Sequence, residues 1–76
     1  MRLTDQQITL LQEELCFELV EILMEEWNYS MMEALNVIYN SDTFTLLQNP
    51  KTGLYYQSAG YVYSYLDEEL KTGRIA

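Results

Sequence analysis

Residues 4–27, TDQQITLLQEELCFELVEILMEEW, open on a capping box. Thr4 is placed to accept from the amide three residues on, while Gln7 reaches back to the Thr4 amide. A long helix is therefore predicted from near Asp5. At about 100° per residue, Ile8, Leu11, Leu15, Cys16, Leu19, Val20, Ile22, Leu23, Met24 and Trp27 sweep an apolar arc of about 220°. A surface helix of a globular protein needs nearer 100°. On the other side Glu14, Glu18, Glu21 and Glu25 follow at spacings of four, three and four, in a strip of about 60°. A helix so apolar is either central in its domain or half of a subunit interface.

Asn28 and Tyr29 break this pattern, and Ser30-Met31-Met32-Glu33 repeats the capping-box spacing, so a second helix is predicted over MMEALNVIY. Ser41-Asp42 offers a cap before TFTLLQ, a short third helix. The clearest loop is NPKTG, residues 49–53, because Pro50 disfavours helix at Asn49 and Gly53 admits a positive φ. Ser58 can cap a last helix running to about Thr72, with Gly73 at its end and Lys71 and Arg74 suited to its negative pole. The expected fold class is all-α, a small bundle of about four helices in a single domain over residues 1–76. An alternative, α+β, pairs TFTLL with GLYYQ as a β-hairpin over residues 43–57.

At 76 residues with 49% hydrophobic content the chain is too short for two cores and too apolar to be disordered. A core of this size is marginal without a disulfide, a structural metal or association. Cys16 is the single cysteine and there is no histidine, so neither a disulfide within the chain nor an ordinary zinc site is available. Association is the remaining remedy. No signal-peptide pattern opens the chain, and glutamates interrupt every apolar run before it reaches a membrane span, so a cytoplasmic protein is expected.

The net charge of −8 is uneven. Residues 1–50 hold nine acids against Arg2, while residues 51–76 balance three acids with three bases. Nucleic-acid binding, which needs Lys and Arg against phosphates, is not expected, whereas the charge leaves open both a basic protein partner and a plain solvated face that keeps a small protein soluble. The glutamate strip lacks the histidines of a carboxylate di-metal site and any EF-hand pattern, and Cys16 lacks a neighbouring base. No enzyme activity, cofactor, metal or small-molecule ligand is inferred.

Five tyrosines fall between residues 55 and 65. On the last helix Ala59, Val62, Tyr63, Leu66 and Leu70 share an apolar face, and Tyr61 and Tyr65 form an i, i+4 pair displaced from its middle by about 120°. Tyrosine suits a recognition surface, since it combines contact area with a polar tip. Tyr55, Tyr56, Tyr61, Tyr65 and Trp27, with Glu14, Glu18, Glu21 and Glu25, are the candidate partner-binding residues. Asp67, Glu68 and Glu69 sit mid-helix, where the dipole of their own helix gives them no role; Glu68 can pair with Thr72, and Glu69 reaches the Gly73 amide only if the helix frays.

The string NSDTFTLLQNPKTGLYYQSAGYVYSYLDEEL, residues 40–70, resembles a family of short, acidic, functionally uncharacterised bacterial proteins. The shared positions are Ser41, Thr43 and Leu47, then Thr52-Gly53-Leu54-Tyr55, Gln57-Ser58, Tyr61-Val62-Tyr63, Leu66 and Glu69. EALNVIYNSDTF, residues 33–44, fits the same pattern. What the resemblance implies is a bacterial cytosolic helical protein; it supplies no site residues. Some short acidic proteins of this kind accompany toxin genes. Three roles are thus expected to compete: an adaptor or antitoxin-like binder of another protein, a self-associating structural protein, and an acidic mimic of nucleic acid on a basic protein.

Overall fold

The Gln7 amide donates to the Thr4 hydroxyl at 3.1 Å, and the Thr4 amide donates to the Gln7 side chain at 2.9 Å. This box starts helix α1, Asp5–Glu26, in a computed structural model that describes residues 3–73. Its 22 residues, at about 1.5 Å each, account for most of the 38 Å long dimension of the molecule. The helix ends where Asn28 turns left-handed, at φ 57°, a conformation asparagine tolerates better than other side chains. Ser30 and Glu33 then form a second capping box, at 3.1 and 2.8 Å, and launch α2, Met31–Tyr39.

Ser41 caps α3, Asp42–Gln48, accepting from the Phe44 amide at 3.0 Å while donating to the Ile38 carbonyl at 2.6 Å. Two 3₁₀ turns follow, Pro50–Thr52 and Leu54–Tyr56, joined at Gly53 with φ 71°. Ser58 caps α4, Ala59–Thr72, and Gly73 closes it at φ 83°. Arg74, expected at this pole, lies outside the described residues.

The architecture is all-α, with no strand among the described residues. The alternative hairpin over residues 43–57 does not form. In a strand Thr43, Thr45 and Leu47 would share one face; instead Thr43 and Leu47 are buried and Thr45 is exposed, the i, i+4 pattern of a helix. Leu54, the first residue of the second turn and part of the supposed return strand, is buried in the core.

α1 is the central element. Its Leu15, Leu19, Val20 and Leu23 form one core with Ala34 and Ile38 of α2, Leu47 of α3, Leu54, and Val62 and Leu66 of α4. On α4 the expected face holds: Val62 and Leu66 are buried, and Ala59, Tyr63 and Leu70 flank them.

A helix as short as α3 is not stable alone, because nucleation fixes many dihedrals for few hydrogen bonds. Side chains of two neighbours complete it. The Glu69 carboxylate of α4 accepts from the Asp42 amide at 2.7 Å, the Thr43 amide at 3.0 Å and the Thr43 hydroxyl at 2.8 Å. At the other end Gln12 of α1 donates to the Leu47 carbonyl at 3.0 Å. Glu69 therefore does not wait on fraying at Gly73. Its backbone carbonyl holds the Gly73 amide at 2.7 Å in the closed helix, while its side chain serves the positive pole of a different helix. Thr72 donates to the Glu68 backbone carbonyl at 2.7 Å.

Glu69→Ala leaves the Asp42 and Thr43 donors without this acceptor, one of them on a side chain only 1% exposed. The expected loss in a urea melt is about 2 kcal/mol. Exposed Glu25→Ala is expected to shift stability by no more than about 0.5 kcal/mol. Equal effects of the two would remove the cap from the account of α3.

Candidate functional site

Burial of α1 on one side leaves apolar surface on another. Cys16 and Val20 of α1, Leu35 and Tyr39 of α2, and Phe44 of α3 wall a groove of about 220 Å³, with Phe17 on its rim. The position of α3 sets the far wall: Phe44 meets Tyr39 edge to face, with ring centroids 5.1 Å apart. Polar groups in the groove come from Thr9, Gln12, Glu13 and Gln48.

The rim continues along both helices. Phe17 is 70% exposed and Leu10 58%, and with Met24 they recur every seven residues, a stripe along one side of α1. On α2 Met32, 68% exposed, lies with Leu35 and Tyr39 at the i, i+3, i+7 positions of one face. Phe17 and Leu10 were outside the apolar arc read from the sequence, because they border the glutamate strip. Their seven-residue spacing with Met24 was the signal that could have found them.

Burial pushes the Cys16 thiol up from its ordinary value, so in the groove it is a small apolar wall group. Among the described residues no three His, Cys, Asp or Glu side chains come together where a metal could be held. Among the same residues no helix is long and apolar enough to cross a membrane.

The nine residues singled out from the sequence fall in separate places. Glu14 and Glu18 meet Tyr55 and Tyr56 around a shallower hollow of about 190 Å³, floored by Leu11 and Leu15. Glu21 and Glu25 continue the exposed strip beyond it. Tyr61 and Tyr65 form the expected i, i+4 pair, hydroxyl to hydroxyl at 3.1 Å with the rings edge to face. Tyr61 is exposed and Tyr65 half-buried.

Trp27 is occupied within the fold. Its ring stacks on Tyr29 and its Nε1 donates to the Tyr63 hydroxyl at 2.9 Å. That hydroxyl donates in turn toward Asp67, at 3.4 Å, and Asp67 pairs with Lys71 at 2.9 Å. The chain Trp27–Tyr63–Asp67–Lys71 ties the end of α1 to α4.

Comparison with protein-family models, with curated proteins and with solved structures gives no match.

Besides Lys71, whose proton is held by its hydrogen bond with Asp67, three groups hold their protons more tightly in the folded chain. Cys16 and Tyr63 are raised chiefly by burial, and Tyr65 by its hydrogen bond with Tyr61. A raised folded value gives stability that is complete below the unfolded value and is lost as pH climbs through the folded one. The melting temperature should therefore fall as pH rises beyond the ordinary thiol and phenol values of 9.0 and 10.0. A flat or rising profile there would contradict the three environments. Separately, Tyr63→Phe removes the acceptor of Trp27 and should cost about 1 kcal/mol in a denaturant melt; no change would mean that the pair does not tie α1 to α4.

Proposed function

We propose that this chain is a protein–protein interaction domain whose binding surface is the groove between α1, α2 and α3. The observation that carries the reading is the groove with its two apolar rims, above all Phe17 at 70% exposure beside a formed cavity. Monomeric proteins seldom leave large apolar side chains contiguous in water, and such patches mark places where another surface docks. Exposed Tyr39 adds the kind of aromatic anchor that dominates interface energies.

An adaptor or antitoxin-like role in the cytosol belongs to the same proposal, and a lone free cysteine fits that setting. So does the absence of catalysis, which is supported by a sequence without histidine and a thiol pushed away from its reactive form. Self-association is a second reading. It draws on the seven-residue spacing of Leu10, Phe17 and Met24, the period of a coiled-coil seam. The tyrosine pair on α4 is the competing surface, since Tyr61 is also exposed.

Site-specific photocrosslinking in the source cells separates these surfaces. With p-benzoylphenylalanine replacing Phe17, discrete protein adducts are expected, and with the same group replacing Tyr61 none. Adducts only from position 61 would move the site to α4. Adducts only at twice the chain mass would select self-association, and none from either position would remove the interaction reading.

A further inference from the structure

Charge narrows what the groove can accept. From Asp5 to Gln48, the three helices that build it carry nine carboxylates and no lysine or arginine. Glu13 stands in the groove wall. On the α1 wheel Glu13 and the pair Glu14 and Glu21 lie on opposite sides of Phe17, each within about 60° of it. The apolar stripe thus has Glu13 on one edge and Glu14 and Glu21 on the other.

Charge disfavours a second copy on this surface. Groove against groove about a two-fold axis would set carboxylates against carboxylates, with no base on any of the facing helices. Elsewhere among the described residues the bases are Lys51 and Lys71, and Lys71 is already paired with Asp67. Strand addition is not offered, because the described residues contain no strand and so no sheet edge to join. Of the modes that need no sheet edge, a helix laid in the groove matches the length of the rim. From Leu10 to Met24 the rim spans about 21 Å, the length of about four helical turns.

Building on the interaction reading above, we propose that the groove binds a basic amphipathic α-helix of another protein, whose apolar residues fill the space between Phe17 and Tyr39 and whose lysines or arginines meet Glu13, Glu14 and Glu21. Apolar contact supplies the affinity, and the carboxylate borders select the sign of charge and the orientation.

The test uses fluorescein-labelled peptides of about 14 residues: a Leu/Lys amphipathic helix, a Leu/Glu peptide of the same pattern, and a Leu/Lys peptide of scrambled order. Fluorescence anisotropy should show saturable binding of the first and none of the second, with the scrambled peptide much weaker. Binding should weaken several-fold on raising the salt to about 1 M, where the screening length falls to about 3 Å. Phe17→Ala should weaken it about tenfold with circular dichroism unchanged, since Phe17 is mostly exposed. The triple variant Glu13→Gln, Glu14→Gln, Glu21→Gln should remove most of the salt dependence.

Equal binding of the ordered and scrambled Leu/Lys peptides, or no effect of Phe17→Ala, would overturn the proposal in favour of unspecific charge attraction. Equal binding of the Leu/Glu peptide would overturn the role of the carboxylates. Sedimentation equilibrium of the unliganded chain that reveals a dimer lost in Phe17→Ala would assign the groove to a second copy. If no peptide binds while position 17 still gives protein adducts, the basic helix fails and the interaction reading stands.

Discussion

The Glu69 carboxylate is the contact on which the arrangement of the bundle turns. α3 has too few residues to hold its shape unaided, and without Glu69 its part-buried Thr43 amide would lose its acceptor while the exposed Asp42 amide would be left to water. Glu69 answers three donors at once, and Gln12 attends to a carbonyl at the other end. α3 is therefore clamped between α4 and α1 by side chains that belong to neither its sequence nor its loop. The buried Thr43 and Leu47 add packing to this clamp.

That clamp also determines the surface. With α3 fixed, Phe44 stands against Tyr39, and the space between them and α1 becomes a groove instead of a collapsed core. Val20 is buried at its base, while Phe17, one turn earlier on the next stripe of α1, is left in water. α1 thus has two apolar sides with different fates. One is consumed by α2, α4 and the turn at Leu54, and the other stays available. The apolar arc read from the sequence corresponds to the central place of α1 in the core, while the exposed Leu10 and Phe17 lie outside that arc.

Local signals in the sequence were legible and tertiary ones were not. Thr4 with Gln7 and Ser30 with Glu33 could be read as caps because each closes within four residues, and Ser41, Ser58 and Gly73 are placed by the same short-range chemistry. Glu69 serves residues 26 and 27 positions away, so no periodicity points to it. Thr43 through Leu47 carries β-branched and apolar character that suits a strand, and the local Ser41 cap together with the distant Glu69 cap favours helix. Trp27 reads from the sequence as a candidate partner-binding residue because its tyrosine partner lies 36 residues on. The Tyr61–Tyr65 pair was visible because it is an i, i+4 feature. The groove was not, since its walls come from three helices whose approach is set by packing.

The reach of Glu69 also fixes an order of events as the chain is made. α1 and α2 carry their capping boxes within their own first turns, so each can begin to form as it emerges from the ribosome. α3 is synthesised next but lacks its main acceptor until residue 69 has followed. The segment made third thus receives the acceptor for its Asp42 and Thr43 amides only from the helix made fourth.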